Sequence, residues 1–255
     1  MLVNKPIEGH YADRFTRPTR SRRWEVLKYL YRVSISWRSR FPFPHIPALF
    51  TEKERILNDA IAFAQFNKTR GDYLEFGTFE GNAFLMAYHL GRSYRLGEMN
   101  FYAFDSFEGL PDLKGIDVLS DPEPHFTKGE FSCSLDRFTT ILRRHKVDMD
   151  KVRIVPGFFD RTLNDATKAS LPLRRASVVL VDCDLYESTR DVLEFITDYV
   201  VNGTVILFDD WFNYKGDPRL GENRAFREWL ERHPELQASQ YRPYAWHGNS
   251  FIIYR

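Results

Sequence analysis

Three carboxylates stand where two short apolar runs end. Ala176-Ser-Val-Val-Leu-Val is followed by Asp182, Cys183 and Asp184, and Val205-Ile-Leu-Phe is followed by Asp209 and Asp210. Brief runs rich in β-branched residues read as strands buried on both faces, as in a parallel sheet. Ligands of open α/β sheets sit outside the carboxyl ends of the strands. Two neighbouring strands would thus aim Asp182, Asp209 and Asp210 at one point, where uncompensated charge would repel itself. A hard divalent cation with oxygen ligands is the simplest relief. Asp182, at the edge of such an ion, is also placed to take a proton. Asp184 reads as a cap for the helix that follows, with Ser188 nearby.

A second constellation lies upstream. The run Asp72-Tyr-Leu-Glu-Phe76 leads into Glu75-Phe-Gly77-Thr-Phe-Glu80-Gly81. Gly77 permits a tight turn, and Gly81 lets a ligand approach the start of the next helix. The spacing is not the dinucleotide fingerprint G-x-G-x-x-G. The next apolar run, Phe101-Tyr-Ala-Phe104, ends at Asp105, where an acid can accept both hydroxyls of an adenosine ribose or serve as a plain helix cap. Glu80, at the start of the helix, complements its dipole. Tyr186 reads equally as pocket lining or core. His125, in a loop running from Phe107 to Lys128, is a second candidate base. Lys215, Arg219 and Arg224 surround the loop after Asp210 and read as solvated charge or as contacts to an acceptor phosphate.

The elements that position these residues alternate. Thr51-Glu-Lys-Glu54 is a capping box opening a helix through Phe66, with Ile56, Leu57, Ala60, Ile61 and Ala64 on its apolar face. Strands are expected at 72–76, 101–104, 152–155, 176–181, 205–208 and 250–254. Helices are expected at 82–96, 134–145, 188–200 and 224–232. That succession predicts a doubly wound, mostly parallel α/β sheet over residues 51–255. Residues 1–50 form a separate basic and aromatic arm, in which Trp24, Val26, Leu27, Leu30 and Tyr31 fall at helical spacing. The arm is read as a helix with its apolar side on the domain or on a second subunit of a homo-oligomer, or as a lid over the site.

Composition narrows the class. In 255 residues, 43% hydrophobic and 28% charged content fit a globular enzyme, and a net charge of +1 offers no bias toward nucleic acid or a membrane surface. Cys133 and Cys183 form neither a disulfide framework nor a zinc spacing, which favours a reducing, cytoplasmic setting. No leader and no membrane span are expected.

With these residues in view, the chain resembles the macrocin O-methyltransferase family of class I S-adenosylmethionine-dependent methyltransferases. The pieces that carry the likeness are Glu75-Phe-Gly77-Thr-Phe-Glu80-Gly81, Phe104-Asp-Ser-Phe-Glu-Gly-Leu-Pro111, Val155-Pro-Gly-Phe-Phe159, Asp182-Cys-Asp-Leu-Tyr-Glu-Ser-Thr189 and Phe208-Asp-Asp-Trp211. They span about Tyr73 to Phe251. The resemblance implies a Rossmann-like fold, S-adenosylmethionine held at Glu75, Gly77, Asp105 and Ser106, and magnesium at Asp182, Asp209 and Asp210. It implies a sugar hydroxyl, on a natural product or glycan, as acceptor. Trp211 stands where members often carry another aromatic, and the arm shows no alignable motif, so the substrate stays open. A catechol or other phenol would suit the same metal and fold. A D-x-D phosphatase or glycosyltransferase fits Asp182-x-Asp184 but leaves Glu75, Gly77 and Gly81 without a purpose, and a mere binding protein leaves the carboxylates without one.

Overall fold

In the computed structural model, residues 22–38, 51–119 and 126–255 are described, with backbone alone for 22–25 and 36–38. Seven strands form one sheet: β1 (Asp72–Phe76), β2 (Phe101–Asp105), β3 (Val152–Pro156), β4 (Ala176–Val181), β5 (Val200–Phe208), β6 (Gln237–Gln240) and β7 (Asn249–Tyr254). Their spatial order is β3-β2-β1-β4-β5-β7-β6. The first five are parallel; β7 runs antiparallel to β5, and β6 antiparallel to β7. This is the doubly wound α/β fold expected. The strand order reverses between β1 and β4, and such a switch point opens the crevice in which these sheets bind ligands.

Helices cover both faces. One layer comprises α1 (Arg22–Arg38), α2 (Glu52–Phe66), α3 (Asn82–Ser93) and, beyond the short α4 (Gly115–Leu119), α5 (Leu135–Arg144). Two short helices follow, α6 (Phe159–Thr162) and α7 (Asp165–Ser170), and then α8 (Tyr186–Ile196) and α9 (Gly221–Arg232) on the opposite face. Because side chains alternate along a strand, each central strand feeds two cores. Tyr73 joins Ile56, Leu57, Phe84 and Phe138 on one side of the sheet. Phe76, Phe104, Phe195, Phe208 and Trp229 fill the other. The capping box of α2 is present, with Glu54 N–H on Thr51 Oγ1 and Thr51 N–H on Glu54 Oε2.

Several boundaries differ from expectation for physical reasons. Val200 begins β5 rather than ending α8, and a register shift carries the polar Asn202-Gly203 stretch, with Gly203 at φ +88°. The strand β6 carries the sequence Gln-Ala-Ser-Gln, with no apolar run to mark it, and it lies at the exposed sheet edge. The helix α1 does not lay its apolar side on the domain. Its apolar residues Val26, Leu27, Leu30 and Val33 are exposed, while Arg32 and Ile35 are buried. The helix meets the domain with its charged side. Residues 1–21 and 39–50 of the arm and His125 lie outside the described residues. Among those described, no helix is long and apolar enough to cross a membrane.

Candidate active site

Both constellations sit at the switch point. The turn after β1 begins at Gly77, with φ +85°, and a Cβ there would stand 1.9 Å from the carbonyl oxygen of Asp182 at the end of β4. No side chain fits that approach, so glycine at this position is dictated by the neighbouring strand as well as by the backbone. Asp105, at the end of β2, pins the turn: its Oδ2 accepts from the N–H of Thr78 (2.6 Å) and of Phe79 (3.1 Å), and its Oδ1 from the N–H of Phe107 (2.7 Å). Ser106 shapes the next loop, donating to the Gly109 carbonyl at 2.7 Å and accepting from Glu108 N–H at 3.0 Å. Glu75 is 1% exposed and accepts from the Tyr73 hydroxyl at 2.5 Å. Burial pushes its carboxyl well above the usual range. Gly81, at φ +74°, is the N-cap of α3, and a Cβ there would meet the Phe138 ring at 2.8 Å. Core packing therefore already accounts for that glycine.

The acid cluster has a compensating cation that the carboxylate pattern did not reveal. Lys53, in the first turn of α2, places Nζ 2.8 Å from Asp182 Oδ2 and 2.6 Å from Asp209 Oδ2. Burial lowers its pKa, but Asp182 and Asp209 outweigh that and hold the ammonium well above its ordinary value. The expectation of an uncompensated cluster is corrected to this extent. Lys53 was visible in the sequence only as the interior of a capping box; nothing local points it at strands more than a hundred residues away.

Around this centre the remaining acids are held in place. Asp210 donates its N–H to Glu222 Oε2 at 2.8 Å, and its side chain accepts from Asn213 Nδ2 (2.8 Å) and from Asp184 N–H (3.3 Å). The Tyr244 hydroxyl donates to Asp209 Oδ1 at 3.2 Å. His247 Nδ1 meets the backbone carbonyl of Asp209; a carbonyl only accepts, so Nδ1 carries the proton. Asp209, Asp210 and His247 each offer one ligand atom, all within 4.8 Å of one another. Asp184 does not cap α8 as expected. It sits at φ +61°, and the cap comes from Asp117 of α4, whose carboxylate accepts from the N–H of Tyr186 (2.9 Å) and Glu187 (3.1 Å). Burial pushes Asp184, Asp210 and Glu222 well above the usual carboxylate range and Asp182 up to about 6. Glu222 is fully buried, and its Oε1 has no hydrogen-bond partner among the described residues. A surplus of buried carboxylates over one ammonium, with an orphaned oxygen, fits a hard divalent cation.

The other expected residues take structural parts. Glu80 does more than complement a dipole: Lys28 (2.8 Å), Arg32 (2.7 Å) and Arg137 (2.9 Å) converge on it. Tyr186 donates to Glu228 at 2.6 Å, and the Arg224 guanidinium lies 5.1 Å over its ring while bonding Glu228. Arg219 pairs with Asp217 at 2.6 Å. Besides Lys53, pattern reading missed Asp117, Glu222, Tyr244 and His247. Asp117 and Glu222 reach the site from two helices and Tyr244 and His247 from one turn before β7, with no spacing that relates them to the acids.

The family model described as macrocin O-methyltransferase (TylF) matches residues 42–231. The chain is similar to 8-demethyl-8-(2,3-dimethoxy-alpha-L-rhamnosyl)-tetracenomycin-C 4'-O-methyltransferase of Streptomyces olivaceus, with 30% identity over 55% of this chain and 53% of that protein. It is also similar to demethyldecarbamoylnovobiocin O-methyltransferase of Streptomyces niveus, with 28% identity over 57% of this chain and 54% of that protein. The chain thus spans about half the length of the curated relatives it matches. The solved structure of the O-methyltransferase NovP superposes with a TM-score of 0.68 at 22% identity, covering 80% of each chain. At that identity the likeness speaks for the fold.

Proposed function

The chain belongs to the macrocin O-methyltransferase family, and from that premise we propose that it moves a methyl group from S-adenosylmethionine to a hydroxyl of a sugar on a natural product or glycan, with magnesium at the acid cluster. The observation that carries this reading is the contact between the two constellations. The glycine turn after β1 and the Asp182 carbonyl after β4 lie close enough that a single methyl group would not fit between them. A nucleoside on the turn and an acceptor at the acids would therefore be neighbours.

The cofactor would lie along Glu75, Gly77, Gly81, Asp105 and Ser106. Glu75, kept from solvent and pushed toward its neutral form by burial, suits a hydrogen bond rather than a bare charge. Asp105 holds the turn rigid, which prepays the cost of ordering it around a ligand. Asp182, Asp209 and Asp210 would hold the ion, whose chemistry is that of a template and Lewis acid for a hydroxyl. The sulfonium methyl is already activated, so the protein has to align the acceptor oxygen and ease its deprotonation. Asp182, at the edge of that ion, is the group placed to take that proton. Asp209 is fixed for this work by Tyr244, and Asp210 by Asn213 and Glu222.

Incubation with labelled S-adenosylmethionine and magnesium, against a panel of rhamnosyl and other sugar acceptors beside catechols and simple phenols, tests the reading. Labelled sugar product that disappears with chelator and returns with magnesium is expected. Transfer to the phenols alone would replace the sugar acceptor. Full transfer in excess chelator would remove the metal and leave the acids as a proton-transfer cluster.

A further inference from the structure

The helix α1 docks in an unusual way. Its apolar residues Val26, Leu27, Leu30 and Val33 face solvent, yet it commits two cations to the domain. Lys28 and Arg32, one turn apart, share a face with the buried Ile35. Arg32 is 4% exposed. Its Nη2 lies 2.7 Å from Glu80 Oε2, and its Nε donates to Asn82 Oδ1 at 2.9 Å. Those two partners flank Gly81, the left-handed residue through which the turn after β1 becomes helix α3. Arg137 of α5 reaches the same carboxylate from another direction. Burial would raise the pKa of Glu80, but Lys28, Arg137 and Arg32 outweigh it and hold the carboxyl below its ordinary value.

An apolar contact would anchor a helix at less desolvation cost than a buried guanidinium. The fork of arginine offers something else: two bonds in fixed geometry to the two residues on either side of Gly81. We propose that Arg32, acting through Glu80 and Asn82, is a positioning residue that couples the docking of α1 to the conformation of the Gly77–Gly81 turn, and so to cofactor affinity. The proposal rests on the reading that this turn holds S-adenosylmethionine. Coupling of this kind is reciprocal, so bound cofactor also tightens the docking of α1.

Titration with S-adenosylhomocysteine by calorimetry, with amide hydrogen exchange across residues 77–82, tests the coupling. Arg32→Met is expected to weaken binding by about tenfold, within the usual span of coupling between sites. It should also speed exchange in the turn while leaving manganese affinity within about twofold. Arg32→Lys should recover part of the loss, since it can pair with Glu80 but lacks the second arm of the fork. A helix that serves only stability would lower the thermal midpoint and leave both readouts where they were; that result overturns the proposal. If Arg32→Met does not fold, Glu80→Gln carries the same criteria, because it keeps shape and removes the charge. A wild type that binds manganese but no S-adenosylhomocysteine would overturn the reading of the turn itself, and the coupling with it.

Discussion

At the scale of single residues, Lys53 most changes how the acid cluster is understood. Its ammonium bridges Asp182 and Asp209 where an ion shared by those carboxylates would lie, so a divalent cation has to displace it. Lys53→Met should therefore raise manganese affinity by about tenfold, which corresponds to about 1.4 kcal/mol. Manganese titration followed by electron paramagnetic resonance reads this directly, and unchanged affinity would place the ion away from Lys53. Asp182 supplies a prediction in pH. Burial pushes its folded carboxyl up to about 6, above the ordinary 3.8, so the folded state holds the proton more tightly than the unfolded chain. Its contribution thus favours folding below about pH 4 and is lost as pH rises toward 6. Asp182→Asn never ionises. Its stability advantage over the wild type in chelator should grow between about pH 4 and 6, by about 3 kcal/mol, and then level off. A flat difference across that window, in denaturant titrations at each pH, would show that burial does not perturb this acid.

At the scale of elements, the N-terminus of α8 is organised from outside its own sequence. No side chain of the helix start caps it, and Asp117 of α4 does so across the fold. Asp117→Ala should cost about 0.5–2 kcal/mol, the range for loss of an N-cap. It should also loosen α4 from α8, which limited proteolysis near residue 115 would report. Asp117→Asn keeps an acceptor and should cost less. The elements most legible beforehand were those with a complete local signal. The capping box at Thr51 and the β-branched run at Ala176 each matched their observed element, because cap chemistry and burial on both faces leave marks in the sequence. The strand β6 left none. An edge strand buries little, and its pairing with β7 supplies what its composition does not. The helix α1 matches the helical spacing of Leu27 and Leu30, and the face it turns to the domain carries Lys28, Arg32 and Ile35, whose charge partner in the β1 turn no local spacing announces.

For the whole molecule, the switch point between β1 and β4 joins both constellations, so ligands at either should stabilise the entire domain. S-adenosylhomocysteine at a hundredfold excess over its dissociation constant should add about 2.7 kcal/mol to unfolding, and saturating magnesium should add its own share. Differential scanning calorimetry with each ligand separately and together checks this. A magnesium increment that vanishes in Asp209→Asn assigns it to the cluster; one that persists does not. The sequence by itself determined the succession of every strand except β6, and with it the fold class, since each of those strands carries a short apolar run bounded by its own turn residues. It also determined that Asp182, Asp209 and Asp210 stand at carboxyl ends of strands, since position in a strand is a local property. Only the tertiary structure decided what those acids meet. Lys53, Glu222 and the Tyr244–His247 turn arrive from three separate stretches of chain, and Arg32 reaches Glu80 across 48 positions. Such meetings are fixed by how helices settle on a twisted sheet, and no local spacing encodes that.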